Sequence, residues 1–279
     1  MSARDVNRWI ARAMRIAIVA VLPIAGVLAA DLSAGPEAND PPFLFLQVTV
    51  RVMQPGQDAV VADYYTKLRS AEARFGIDGL TDVYVVADGG QVPTFVTVRP
   101  FKAWHDLDED AETRSLATLT RAYGAQEARR LSAALSAASA SVATEVDRVL
   151  GGLNNWYPSP SRKPWPYMRV RRTTIKPGME RQHLALVREL RDARRRANAV
   201  AEVRWQVVDG EGGTFGAARF FRGWQDRNLW EGELAAAIGD EGAARWTAAM
   251  SATVERTSTV VLRRRPELSR GAPHALTND

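Results

Sequence analysis

Two arginines occupy matching places in the two halves of this 279-residue chain, each inside a run of residues typical of a β-strand. Arg99 and Arg219 are 120 residues apart, and each shares its side-chain parity with a phenylalanine, Phe95 or Phe215, four residues earlier. A charged side chain on an otherwise buried strand needs an ionic partner or an anionic ligand. The pattern therefore predicts either a paired anion-binding site or two salt bridges to acidic residues on neighbouring strands.

Four aromatic residues are further candidates for contact with a ligand. Trp104 and Trp224 each follow one of the arginines by five residues, in the pattern Phe-x-x-Trp. A tryptophan repeated at a strand-to-helix corner more often packs in the core than binds a ligand, so we expect core packing. Tyr84 and Trp205 lie in other strand-like runs and are weaker candidates for lining a cavity.

Motifs for metals, nucleophiles and nucleotides are weak. The chain has no cysteine and three histidines, which excludes a thiol nucleophile and leaves little material for a metal centre. Residues 105–110 resemble half a calcium loop, but Ala111 and Ala117 stand where that loop needs a glycine and an acidic residue. Residues 210–213 are glycine-rich but connect two predicted strands, which argues against a dinucleotide loop. We expect no catalytic set and no metal.

The elements that position these residues repeat along the chain, which predicts an internal duplication. Gln54-Pro55-Gly56 recurs as Lys176-Pro177-Gly178, each between a strand-like run and a helix, at an offset of 122. Gly124, Arg130, Ala133-Ala134 and Ser136 recur as Gly239, Arg245, Ala248-Ala249 and Ser251, at an offset of 115. Drifting offsets are what short loop deletions between two copies would give.

Hydrophobic periodicity gives one secondary-structure order for each copy. In the first copy it predicts strands at 45–53, 82–87, 94–101 and 144–150 and helices at 57–75, 112–123 and 125–142. The order β-α-β-β-α-β is that of the ferredoxin-like unit, whose sheet leaves one face uncovered. We therefore predict an α+β protein in which two tandem ferredoxin-like βαββαβ repeats pack as an intramolecular α/β barrel. The predicted boundaries are repeat 1 at 43–150, a linker at 151–164, repeat 2 at 165–269 and a tail at 270–279.

Each copy resembles the dimeric α/β-barrel superfamily, especially its NIPSNAP-like and antibiotic-biosynthesis-monooxygenase-like members. The resemblance rests on the Pro-Gly helix start, the hairpin, the two Phe-x-x-Trp segments and the sequence RPELS at 265–269. It implies a fold more strongly than a function, because the superfamily includes oxygenases and haem proteins. Haem-degrading relatives use an Asn on the first strand and a His on a later helix, and neither is matched. His183 lies on the first helix of copy two, so we expect no cofactor, haem included.

The first thirty residues predict export from a bacterial cell. Four arginines precede a charge-free apolar run at 16–30, with small residues at Val27-Leu28-Ala29, as in a cleaved signal peptide. Residues 31–42 are a polar tether rich in Pro and Gly. Cleavage after Ala29 lowers the net charge from +5 to +2, which weakens the case for a nucleic-acid partner. A membrane contact is then expected only through the signal peptide before cleavage, and the protein is expected in the periplasm or outside the cell.

The remaining charge divides unevenly between the copies. Residues 43–150 carry a net charge of −3 and residues 165–269 a net charge of +6. Our leading interpretation is an exported α/β-barrel protein that binds a small molecule or anion, or is structural, without catalysis. The alternatives are a haem-dependent or cofactor-free monooxygenase-like enzyme and an envelope protein-interaction module that uses the arginine-rich second copy. The oligomeric state is left open.

Overall fold

The computed structural model describes residues 44–77, 81–88, 93–107, 111–154, 165–196, 202–226 and 233–270. The predicted signal peptide, the tether, residues 155–164 of the linker and residues 271–279 of the tail lie outside these ranges. Within them, no helix is long and apolar enough to cross a membrane.

Eight antiparallel strands close into one barrel. Their order around the barrel is β1-β3-β2-β8-β5-β7-β6-β4, so both halves use the internal order 4-1-3-2 and meet at the pairs β2–β8 and β4–β6. The strands are β1 (Phe45–Met53), β2 (Asp82–Val86), β3 (Thr94–Phe101), β4 (Ser139–Val149), β5 (Tyr167–Ile175), β6 (Glu202–Asp209), β7 (Thr214–Phe221) and β8 (Val254–Arg264).

Five helices cover the outside of the barrel. They are α1 (Asp58–Arg74), α2 (Ala111–Tyr123), α3 (Ala125–Ala138), α4 (Glu180–Arg196) and α5 (Glu233–Thr253). The first three pack on the outer face of the first four strands, and the last two on that of the other four. A glycine breaks each later helical segment: Gly124 separates α2 from α3 at φ 85°, and Gly239 kinks α5 at φ 75°. Only glycine adopts such positive φ values without strain.

Alternation along the strands divides the core into an inner and an outer part. Side chains of one parity point into the barrel lumen, among them Leu46, Val98, Met168 and Phe220. Side chains of the other parity point toward the helices, where Phe95 and Phe215 join the two outer clusters. Each strand therefore has one face in the lumen and one face in a crevice beneath helices.

The structure corrects the boundary between the last helix and strand of the first half. The sequence predicts a helix over 125–142 and a strand from 144, but α3 ends at Ala138 and β4 begins at Ser139. By intrinsic propensity alone, the Ala and Ser residues near this boundary fit a helix as well as they fit a strand. Pairing of β4 with β1 as far as Met53–Ser139 determines the observed boundary.

Candidate functional site in the barrel lumen

The barrel lumen contains a cavity of about 460 Å³. Its floor is apolar and includes Leu46, Met168, Phe220 and Leu262. Its other end, where the strand-connecting hairpins lie, is polar and includes Thr94, Glu145, Arg172 and Ser258. A cavity of this size with an apolar wall and a few polar groups is typical of a small-molecule site.

Asp147 is the most unusual side chain of this cavity. It lies on β4 opposite Leu46 of β1 and Val207 of β6, and it is 0% exposed. Among the described residues, neither carboxyl oxygen has a hydrogen-bond partner. Burial raises the pKa of Asp147 well above its ordinary value, and the nearby Glu145 carboxylate raises this pKa further. Asp147 is therefore a neutral carboxylic acid over a wider pH range than an exposed aspartate.

Glu145 and Arg172 form an ion pair one layer nearer the polar end. Glu145 of β4 lies opposite Val48 of β1, and both of its oxygens accept from Arg172 of β5, with Nη2 2.9 Å from Oε2. This ion pair keeps the charge of Glu145 compensated. Asp147, two residues further along β4, makes no hydrogen bond to a cation among the described residues, and the charge of Arg172 only partly offsets the rise in its pKa.

Trp205 supplies a second polar atom without a partner in the same wall. Its Nε1 is buried and has no hydrogen-bond acceptor among the described residues. The register places Val149 opposite Trp205 and Asp147 opposite Val207, so Asp147 and Trp205 are diagonal neighbours, roughly 7–8 Å apart at Cα. Both residues belong to the wall of the same cavity.

Gly216 makes the position of Trp205 possible. It pairs with Trp205 across β6 and β7, and a Cβ at Gly216 would lie 2.0 Å from Cε2 of the indole. The corresponding residue of the first half, 120 positions earlier, is Val96. The flat indole therefore depends on a glycine that the first half lacks.

These groups can act on one oxygen-bearing ligand in two ways. The Trp205 N–H and a neutral Asp147 are both donors, and in an apolar cavity two donors polarise a carbonyl oxygen strongly. When Asp147 is ionised, the same carboxylate is a strong base, because its environment favours the protonated form. The lumen can therefore both bind a carbonyl and exchange a proton with its ligand.

A crevice of about 350 Å³ lies between the second four strands and helices α4 and α5. A buried ion cluster closes much of it: Glu202 accepts from Arg219 Nε at 2.6 Å and from Arg194 Nη1 at 3.0 Å, and it also pairs with Arg204. Arg219 additionally donates to Glu233 at 2.8 Å, which links β7 to α5. Burial raises the pKa of Glu202, but the charges and hydrogen bonds of Arg194 and Arg204 outweigh it, so the pKa of Glu202 is lowered.

A crevice of about 450 Å³ lies between the first four strands and helices α1 to α3, and Arg99 is in its wall. Arg99 makes a weak hydrogen bond to Gln47 at 3.4 Å and lies over the Phe101 ring at 5.2 Å from its centroid. Among the described residues it has no carboxylate partner. Burial, together with the neighbouring Arg114 and Arg270, lowers the pKa of Arg99 to about 10.

The six predicted site residues fall in four different places. Trp205 lines the lumen cavity, and Tyr84 is packed beside it, 2% exposed, with Asp82 as a hydrogen-bond partner. Arg99 and Arg219 line separate crevices on the outer face of the barrel, so they form no shared anion site. For Arg219 the salt-bridge alternative is observed.

The prediction that the two repeated tryptophans pack in the core is wrong. Trp104 is 52% exposed and Trp224 42% exposed, and their rings contact Phe45 and Tyr167 at the barrel edge. Each lies in the first residues after a strand, beyond the part of the sheet that helices cover. Neither lines the lumen or the two crevices.

The sequence prediction missed Asp147, Glu145 and Arg172, although two signals were present. At the offset of 115, Glu145 and Asp147 align with the apolar Val260 and Leu262. Similarly, Arg172 stands where the first copy has Val50. The ion pair shows that the lumen face of β5 is more polar than the matching face of β1.

Solved structures with low sequence identity share the fold. No family model and no curated protein matches the chain. An anthrone oxidase-like protein gives a TM-score of 0.54 at 13% identity, over 85% of this chain and 97% of that one. A candidate monooxygenase from Fusobacterium nucleatum gives 0.52 at 7% identity, over 80% and 92%. A further candidate monooxygenase, from Lactobacillus acidophilus, gives 0.50 at 7% identity, over 80% and 94%.

The class that these structures define is the ferredoxin-like dimeric α/β barrel. The α+β class and the eight-stranded antiparallel sheet are thereby confirmed. The particular resemblance to NIPSNAP proteins is not shown and stays a prediction. At these identities the likeness concerns the fold and does not define an activity.

The sequence analysis predicts that the protein has no cofactor, and the comparison with solved structures contradicts this prediction. Similar structures include a mutant chlorite dismutase from Candidatus Nitrospira defluvii, a haem-dependent enzyme, with a TM-score of 0.48 at 9% identity over 80% of this chain and 92% of that one. Among the described residues there is no group of three or more His, Cys, Asp or Glu side chains placed to hold a metal ion.

One residue of the second crevice fits a haem ligand by its chemistry. His183 is 5% exposed, and its Nδ1 lies 3.1 Å from Thr253 Oγ1, which itself donates to the Met250 carbonyl. Nδ1 must therefore carry the proton, and Nε2 keeps its lone pair, with no partner among the described residues. Burial lowers the pKa of His183 to about 4, so the ring is neutral at pH 7. A neutral imidazole with one nitrogen fixed by a hydrogen bond would be able to bind haem iron through its other nitrogen.

Proposed function

We propose that this protein is an oxygenase-like enzyme whose small, mostly apolar substrate binds in the barrel lumen. The observation that carries the proposal is Asp147, a fully buried carboxyl group without a hydrogen-bond partner in the cavity wall. Burial of such a group lowers the stability of the folded protein, and a group of this kind is typical of a functional site. The fold of an anthrone oxidase-like protein and of candidate monooxygenases supports an enzyme over a non-catalytic protein.

The proposed chemistry is proton transfer followed by reaction with dioxygen. The Asp147 carboxylate takes a proton from a CH₂ group activated by a carbonyl, and the Trp205 N–H donates to that carbonyl oxygen. The resulting carbanion forms a C–O bond with dioxygen, and the hydroperoxide then loses water. The CH₂ group becomes a second carbonyl, so one oxygen atom enters the product and the other leaves as water.

Anthrone is the probe with which to test this proposal, because it has such a CH₂ group and a flat apolar body. Asp147→Asn keeps a hydrogen-bond donor but cannot accept the proton. We expect dioxygen uptake to fall by about 100-fold or more in kcat, with KM changed much less. The matched control is Asp209→Asn, an exposed carboxylate at the end of β6. Equal kcat values for Asp147→Asn and the wild type contradict the proposal.

A second candidate function, haem-dependent oxidation, rests on His183. His183 would hold the iron through Nε2, and the haem would supply oxygen-activating chemistry at that position. The Arg219–Glu233 ion pair crosses the same crevice and would have to open. Haemin titration followed by absorbance in the Soret region tests this function directly. We expect a Soret shift that His183→Gln abolishes and His105→Gln leaves unchanged, and the absence of a shift in the wild type excludes this candidate.

We also infer that the two halves are copies of one βαββαβ unit and that the protein is exported. The shared strand order and the matching Gly124 and Gly239 support duplication. The basic segment followed by an apolar run supports cleavage after Ala29. The mass of protein recovered from the periplasm or medium tests export, since the proposal requires a mature chain that begins at Ala30.

A further inference from the structure

The crevice between the first four strands and helices α1 to α3 has an excess of positive charge. Its described wall contains five arginines against two glutamates. Glu72 is already engaged, with Oε2 2.6 Å from Arg69 and Oε1 2.6 Å from Arg270. Positive side chains therefore outnumber negative ones among the lining residues that the structure describes, and a buried positive charge without a compensating anion is unfavourable. The arginines are Arg51, Arg69, Arg99, Arg114 and Arg270, and the glutamates are Glu72 and Glu112.

Arg99 is a cation of this wall that has no carboxylate partner among the described residues. In the part of the chain that the structure describes, its guanidinium donates to the neutral Gln47 Oε1 at 3.4 Å, which is long for a hydrogen bond. Its guanidinium faces the cavity beside Tyr65 and Thr97, whose hydroxyl groups lie 3.0 Å apart.

The second half of the protein shows how a purely structural arginine at this place is compensated. Arg219, 120 residues later on β7, lies directly opposite Glu202 of β6 and forms an ion pair with it at 2.6 Å. In the first half, the pairing of β2 with β3 ends at Asp82–Val98. One step further in this antiparallel register, the residue opposite Arg99 is Thr81. A threonine thus stands near Arg99 where the second half has a glutamate. The first crevice has kept the arginine without its carboxylate.

We propose that this crevice binds a small molecule that has a carboxylate and an apolar body. The carboxylate occupies the position beside Arg99 that the Glu202 carboxylate occupies beside Arg219, because a planar guanidinium recognises a carboxylate through two hydrogen bonds. The apolar body lies against Tyr64, Leu68 and Leu135, which line the same cavity. This site is on the helix side of the sheet and is separate from the lumen.

Isothermal titration with benzoate at constant ionic strength tests the proposal, with inorganic phosphate and chloride as comparison anions. We expect benzoate to bind and to raise the melting temperature progressively as its concentration exceeds its Kd. Arg99→Gln should weaken benzoate binding by about 10- to 100-fold, and Arg99→Lys should weaken it less because a point charge remains. The matched control is Arg129→Gln, an exposed arginine on α3 outside the crevice, which should bind within about twofold of the wild type.

Folding of the variants provides a second readout. Because Arg99 is a poorly compensated charge, Arg99→Gln without ligand should be at least as stable as the wild type. Benzoate binding that is unchanged in Arg99→Gln overturns the proposal. An equal response to chloride overturns it as well, since that result indicates screening of charge alone. Stronger binding of phosphate than of benzoate overturns the assignment of a carboxylate with an apolar body.

Discussion

His183 should make the protein less stable as the pH falls below 6.5. Its ordinary pKa is 6.5, and burial, together with Arg204 and Arg171, lowers the pKa in the folded state to about 4. Above pH 6.5 the ring is neutral in both states and contributes no pH dependence. Between pH 6.5 and pH 4 the unfolded chain binds a proton that the folded protein does not, so folding becomes less favourable as the pH falls.

The magnitude follows from the two pKa values. One pKa unit corresponds to about 1.4 kcal/mol, so the full difference amounts to about 3 kcal/mol below pH 4. At pH 5 the unfolded state already gains about 2 kcal/mol, which is roughly 4–8 °C in melting temperature for a chain of this size. The carboxyl groups titrate in the same range, but their effect cancels in a comparison of two variants.

The assay is urea unfolding of the wild type and His183→Gln at pH 8 and pH 5. The variant should gain about 2 kcal/mol relative to the wild type between these pH values, whatever its stability at pH 8. His105→Gln, whose side chain is 79% exposed in the wild type, should show no such change and is the matched control. A stability difference between His183→Gln and the wild type that is the same at both pH values refutes the reasoning.

Three further predictions concern Asp147, Gly216 and Glu202. Asp147→Leu should be more stable than the wild type at pH 8, with a difference that shrinks toward pH 4, because a raised pKa makes the folded wild type lose stability as the pH rises; a difference independent of pH contradicts this. Gly216→Ala should cost about 1–3 kcal/mol in urea unfolding because its methyl group collides with the indole of Trp205, whereas Gly223→Ala meets only a flexible glutamine and should cost about 0.5 kcal/mol or less. Glu202→Gln should cost about 3–5 kcal/mol, because Arg204 loses its carboxylate partner and Arg194 and Arg219 keep only Glu233. Glu241→Gln, at an exposed i,i+4 pair, should change stability by about 0.5 kcal/mol or less, and equal effects of these two variants would show that the buried cluster is not coupled.

Strand and helix positions were predictable where one face of an element is apolar. The alternation of Val48, Val50 and Val52 with polar residues predicts β1 with the observed bounds, because each residue type corresponds to one face of the sheet. The boundary at Ser139 was not predictable in this way, because Ala and Ser carry little hydrophobic signal. Pairing with β1, a contact across more than 80 residues, decides it.

The lumen site was only partly predictable, because its chemistry is a departure from the repeated pattern. Trp205 could be named from its residue type, but Asp147 lies on a strand with polar residues on both faces, so periodicity does not assign it to the lumen. Comparison of the two halves does assign it, since Leu262 of the second half is a core residue. Likewise, the ionic partners of Arg219 depend on the β6–β7 register, which a single sequence does not specify.

The titration of the Asp147 carboxyl carbon, followed by ¹³C NMR in the wild type and in Asp147→Asn, tests the central claim most directly. The account predicts one aspartate resonance whose pKa lies well above its ordinary value, which is missing from the variant and which shifts when anthrone fills the lumen. An Asp147 carboxyl that titrates at its ordinary value, or one that does not respond to anthrone, contradicts the assignment of the lumen as the active site.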